Sequence, residues 1–150
     1  MKQTKLKTFA VVSACMMGML SSSAQGVMQR TANYHPDGRG FSCVNGNNRY
    51  TRALYGSVDE WRLETSDRPI FAIFKKNNHR NIRFVIKCNG QAFQLDSVEY
   101  CKARYEAGKR EYLMKDKRWG SGVLKLSVLA YPQTEGAVWK FAAENFGKAK

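Results

Sequence analysis

The sequence predicts an all-β protein, an antiparallel β-sandwich. Three observations point there. Short apolar or β-branched runs alternate with turn signals at intervals of about 8–12 residues. Leu124, Leu126 and Val128 fall on one face at the two-residue period of a strand. No long helical period appears after the first two dozen residues, so nothing competes with sheets as the packing unit.

Taken in order, residues 25–48 are polar and rich in Asn and Gly. Asp37-Gly38-Arg39-Gly40 and Asn45-Gly46-Asn47-Asn48 carry turn chemistry. This stretch reads as an extended entry segment with one short strand at Phe41–Val44, and the sandwich domain is placed at 49–150. Arg49–Tyr55 alternates imperfectly and ends at Gly56. Trp61–Thr65 is a short run closed by Ser66-Asp67-Arg68-Pro69, where Asp67 and Arg68 read as a turn with a local ion pair. Ile70–Phe74 is strongly apolar, and Pro69 stands just before it, where a missing N–H costs little. Lys75–Arg80 reads as a polar connection, and Ile82–Cys88 as one strand. Asn89-Gly90 is a two-residue hairpin signal, with Gln91–Leu95 returning.

Val98–Tyr105 and Arg110–Lys115 pair across Glu106-Ala107-Gly108-Lys109. Residues 116–122 form a loop, and Val123–Leu129 is the next strand. Pro132–Gly136 turns the chain into a last strand, Ala137–Phe141. A helix over Glu135–Phe146 is disfavoured by Gly136 and the β-branched Val138.

The first two dozen residues differ from the rest. Lys2, Lys5 and Lys7 precede an apolar run from Phe9 to Leu20, and Ser22 and Ala24 are the small residues a signal peptidase reads. Residues 1–24 are therefore expected to be a secretory signal cut between Ala24 and Gln25, and the product to be exported, periplasmic or extracellular. A membrane span would need about 20 apolar residues, more than this run supplies. The alternative is a lipobox, Val12-Ser13-Ala14-Cys15, with a lipid anchor at Cys15; the apolar continuation Met16–Leu20 is unusual for a processed terminus.

The chain has 150 residues and a formal net charge of +13. Three lysines and no acid lie in the leader, so the remainder stays strongly basic. That favours anionic partners such as an acidic glycan. Nucleic acid is not expected, because the basic residues are scattered and no aromatic or helix-turn-helix reading motif is present. Cys43, Cys88 and Cys101 follow the leader; an odd set allows at most one intramolecular disulfide. Cys88 and Cys101 bracket a hairpin and are the best pair by position, with buried free thiols as the alternative. There is no C-x-x-C pair, and His35 and His79 are the only histidines. No metal site, cofactor or serine triad is expected.

Trp61, Trp119 and Trp139 are candidates for stacking on sugar rings. Trp139 and Trp61 fit core positions better, while Trp119 sits in a Gly-rich loop. Trp61 and Trp119 are thus the candidate substrate-binding residues. Asp96, Glu99, Glu106, Glu111 and Asp116 are the pool from which a hydrolytic carboxylate pair would be drawn. Spacing within strands selects no pair, and no catalytic residue is assigned.

The order of several short motifs is familiar: Asn48–Gly56, Glu64–Ala72, Asn81–Phe84, Ala103–Arg110, Trp119–Leu124 and Thr134–Gly136. It resembles the N-terminal region of large exported bacterial proteins catalogued as domain of unknown function 4450. Their layout looks like that of glycoside hydrolases in which a supersandwich-like β-domain precedes an (α/α)6 barrel. The resemblance implies a non-catalytic module of a glycosidase-like protein involved in polysaccharide breakdown, partnered by a C-terminal catalytic region. It also implies that a chain ending at Lys150 is a fragment, incomplete at its C-terminus. A stand-alone carbohydrate-binding module and a secreted interaction protein are the alternatives.

Overall fold

The computed structural model describes residues 33–47, 50–56, 61–76, 78–131 and 134–146. The expected secretory leader, its expected cut between Ala24 and Gln25, and the alternative lipobox reading at Cys15 lie outside the described residues.

Among the described residues there is no α-helix. The strands are β1 (His35–Asp37), β2 (Gly40–Val44), β3 (Tyr50–Gly56), β4 (Trp61–Ser66), β5 (Ile70–Lys75) and β6 (Asn78–Arg83). They continue as β7 (Val85–Cys88), β8 (Gln91–Gln94), β9 (Tyr100–Glu106), β10 (Lys109–Lys115), β11 (Val123–Ala130) and β12 (Ala137–Glu144). Every pairing is antiparallel. One sheet has six strands in the order β1-β2-β9-β10-β11-β12, a second has four in the order β3-β4-β5-β6, and β7-β8 form a separate hairpin.

The two larger sheets face each other across one core. Leu124, Leu126 and Val128 are buried while Lys125 between them is exposed, which is the period-2 pattern realised. Phe71 on β5 is the hub. Its ring meets Phe84, Tyr112 and Trp139 edge-on at 6.0, 5.8 and 5.8 Å, and the last two belong to the opposite sheet. Such ring pairs add to the burial of large apolar area. The all-β antiparallel sandwich expected from the sequence is the fold observed.

Three local readings change. The stretch expected to be an entry segment already holds β1 and β2, so the larger sheet begins at His35 rather than at residue 49. Gly40 makes this possible: a Cβ there would lie 2.2 Å from the Tyr105 carbonyl oxygen, so only glycine lets β2 approach β9. The polar stretch Lys75–Arg80 is partly strand. β6 is polar because it is an edge; its pairing with apolar β5, not its side chains, makes it a strand. The single strand expected at Ile82–Cys88 is broken at Phe84, whose carbonyl accepts from Leu95 N at 2.8 Å. Asn89 and Gly90 do form the hairpin. Both have positive φ, 50° and 79°, as the type I′ turn requires.

Candidate functional site

Sheet parity sets up a charged surface on the outer face of the six-stranded sheet. In β9, Cys101 and Ala103 point into the core, leaving Lys102, Arg104 and Glu106 outside. In β10, Arg110, Tyr112 and Met114 point inward, leaving Lys109, Glu111 and Leu113 outside. The register puts Arg104 directly opposite Glu111 on one side and Ser42 on the other. The β1–β2 hairpin then brings Asp37 over the same spot.

Arg104 is the centre of this array. Its Nη1 donates to Glu106 Oε2 at 2.8 Å and to Glu111 Oε2 at 3.2 Å, and its Nη2 to the Asp37 carbonyl at 3.3 Å. Lys102 Nζ meets Asp37 Oδ2 at 2.9 Å, Arg39 meets Glu106 at 3.1 Å, and Lys109 meets Glu111 at 3.0 Å. The Arg104 guanidinium holds the Glu106 carboxyl below the usual carboxylate range, and Glu106 in turn raises Arg104. The Lys102 ammonium lowers Asp37 in the same way. A cavity of about 320 Å³ opens on this face, lined by Lys102, Arg104, Glu111, Leu113, Lys125 and Ser127 among others.

This arrangement pairs acids with cations; it does not suit acid–base work. Glu106 and Glu111 form a carboxylate pair in which both acids reach one guanidinium nitrogen. Glycoside hydrolysis needs one carboxyl that keeps its proton near neutral pH. A shared cation stabilises the ionised form and works against that requirement. The other acids of the pool are engaged elsewhere. Asp116 is buried and caps the 3₁₀ turn Lys117–Trp119, accepting from Arg118 N at 2.9 Å, Arg118 Nη2 at 2.6 Å and Glu99 N at 3.0 Å. Those bonds, the Arg118 side chain's first, push it down to about 2. Glu99 pairs with Lys117 at 2.7 Å, and Asp96 lies 3.7 Å from Arg83.

The residues singled out in the sequence land as follows. Trp61 and Trp119 are only 8% and 7% exposed. Trp119 stacks on Phe93 at 5.9 Å and donates its indole N–H to Gly122 O at 3.0 Å. The 3₁₀ turn capped by Asp116 drives it inward, so neither ring offers a face to a sugar here. Cys88 and Cys101 are free thiols rather than a bridge. They belong to different sheets: Cys88 ends β7 and its Sγ donates to the Arg118 carbonyl at 3.5 Å, while Cys101 points into the core from β9. Burial pushes the Cys101 thiol up to about 12. The local Asp67–Arg68 pair is also replaced. Arg68 reaches away to the carbonyls of Gly46, Asp96 and Val98 at 3.0, 3.0 and 2.7 Å. Asp67 faces Tyr34 and Arg110 instead.

Sequence reasoning missed that second cluster. Arg110 is fully buried, donates to Ser66 O at 2.9 Å and to the Tyr34 hydroxyl, and lies 3.7 Å from Asp67 Oδ1. Tyr112 donates to the same Ser66 carbonyl at 2.7 Å. The signal was present: Arg110, Tyr112 and Met114 alternate on one face of β10, so once Met114 is assigned to the core, Arg110 must follow it.

Among the described residues no helix is long and apolar enough to cross a membrane, and no group of three or more His, Cys, Asp or Glu is placed to hold a metal ion. Fold and surface together define an all-β antiparallel sandwich whose outer sheet face carries cation-bridged acids. Residues 78–149, from β6 to beyond β12, match the family model described as "Domain of unknown function (DUF4450)". No curated protein and no solved structure matches the chain.

Proposed function

We propose that the whole sandwich belongs to the family matched by residues 78–149, and that it serves as a non-catalytic module of an exported glycosidase-like protein involved in polysaccharide breakdown. In this reading it is a rigid scaffold for a C-terminal (α/α)6-type catalytic region. The family match over the second half of the chain and the motif order over Asn48–Gly136 support it. The leader pattern supports export, with the periplasm as the destination. The observation that carries the non-catalytic assignment is the Arg104 clamp, which draws the outer-face carboxylates Glu106 and Glu111 onto one cation.

One observation favours the carbohydrate-binding alternative: the cavity lined by Lys102, Arg104 and Lys125 offers cationic donors to an acidic glycan. Its affinity would fall with added salt. Both readings are tested by incubating the purified chain with neutral and acidic polysaccharides and following reducing-end release and bound glycan. No release is expected from any substrate. Release that disappears in E111Q would overturn the non-catalytic assignment. Saturable, salt-sensitive retention of acidic glycan, lost in K102A/K125A, would replace the scaffold reading with the binding one.

A further inference from the structure

Among the described residues six strands lie at sheet edges: β1, β3, β6 and β12 in the two larger sheets, and β7 and β8, only four residues each, in the separate hairpin. Proteins blunt such edges because their open N–H and C=O groups pair with any extended chain. β1 is three residues long and contains Pro36. β3 carries two register shifts against β4. β6 is Asn-His-Arg-Asn-Ile-Arg and almost wholly polar. β12 has none of these devices. It runs eight residues, Ala-Val-Trp-Lys-Phe-Ala-Ala-Glu, without Pro, Gly or a bulge, and its far side pairs with no strand among the described residues. Val138 and Phe141 are 40% and 44% exposed along it.

The charge pattern of this edge selects its occupant. Even-numbered side chains of β12 share the outer face, where Lys140 and Glu144 flank Ala142; Lys125, also outward, meets Glu144 at 2.7 Å. Lys140 has no ion pair among the described residues. When a strand pairs antiparallel with a second copy of itself, directly opposed side chains share a face, so the two-fold axis passes through a residue. An axis at Lys140 opposes two ammonium groups. An axis at Phe141 sets Lys140 against Ala142 and Glu144 against Val138. An axis at Ala142 sets Lys140 against Glu144 of the second copy and Glu144 against its Lys140, two cross-strand pairs of opposite charge, with the bulky Phe141 against the small Ala143. Opposite charges directly across strands stabilise and like charges do the reverse. We propose that the protein forms a two-fold dimer through β12, centred on Ala142, so that the six-stranded sheets of two copies become one continuous sheet.

The test is site-directed disulfide trapping of the purified chain together with sedimentation over a concentration series. Directly opposed Cα atoms in an antiparallel pair lie about 4.5–5.5 Å apart, within disulfide reach. A142C is expected to form a covalent dimer under mild oxidation, whereas V138C, far from its own copy in this register, and the parent chain stay unlinked. K140E is expected to weaken dimerisation about tenfold, by setting like charges opposite each other. K140E/E144K is expected to restore it. Lys140 is exposed, so K140E should keep the parent's thermal unfolding midpoint, which separates lost pairing from lost folding. A monomer at every concentration, an unlinked A142C, or equal linking of V138C would overturn the dimer. None of these readouts involves glycan or a catalytic region, so the dimer and the module assignment stand or fall separately.

Discussion

Arg104 and Arg110 occupy neighbouring strands of one sheet, nearly opposite each other, and live in unlike surroundings. Arg104 faces the outer surface with its side chain 24% exposed and is surrounded by the acids Asp37, Glu106 and Glu111. Arg110 faces the core with no exposure and is met mainly by neutral oxygens, the Ser66 carbonyl and the Tyr34 hydroxyl, with the Asp67 carboxylate at 3.7 Å. The first arginine trades water for carboxylates at a surface that water still reaches. The second ties β10 to the β4–β5 turn and to the segment before β1, and water does not compete for it. Identical side chains thus serve a surface and a lock, and the parity of β9 and β10 alone separates them.

Breaking the lock should have the largest effect. R110A strips Asp67 of a buried cation and the Ser66 carbonyl of a buried donor, and removal of one partner from a buried ionic cluster costs about 3–5 kcal/mol. Denaturant titration should show this loss without a change in slope. R110M, which refills the volume, should lose less. A cost below about 1 kcal/mol for R110A, the level of an exposed pair, would show that the lock stabilises no more than the outer array does.

An intermediate effect is expected at Asp116, where the carboxylate is buried but its partner Arg118 is half-open. Its folded pKa of about 2 lies below the ordinary value of 3.8. The stabilisation is therefore complete above the unfolded value and is lost as pH falls from about 4 towards 2. The shift corresponds to about 2 kcal/mol at neutral pH. D116N should lower stability by that order at pH 7 and flatten the acid limb of the stability curve in that window. An unchanged acid limb would move the cap into the weak class with Arg104.

The smallest effect belongs to the outer array. R104A removes bonds to three acids, yet exposed pairs contribute about 0.2–1 kcal/mol each and are screened by salt. A total near 1 kcal/mol that shrinks in high salt is expected. A loss equal to that of R110A would erase the distinction between surface and lock.

Much of this was legible in the residues themselves. The Asn89-Gly90 turn, the alternation of β11 and the apolar run of β5 are local facts, and they appeared where expected. β6 was not legible, because an edge strand of polar residues owes its conformation to the neighbour it pairs with. Trp119 reads as loop-borne, which leaves its exposure undecided; the Asp116 cap that turns it inward is a contact between backbone and side chain that residue spacing does not report. Cys88 and Cys101 are the best pair by position because they flank a hairpin, with free thiols as the alternative; sheet assignment puts them in separate sheets.

By itself the sequence determined the fold class, the hairpin and the basic charge, because two-residue periodicity, turn chemistry and charge balance act within a few residues of chain. Only the tertiary structure decided which strands are edges, that Arg104 gathers Glu106, Glu111 and Asp37, and that Arg110 is buried against the β4–β5 turn. Those outcomes depend on strand register and on pairings between distant segments, and one residue of slip in a strand exchanges its inner and outer faces.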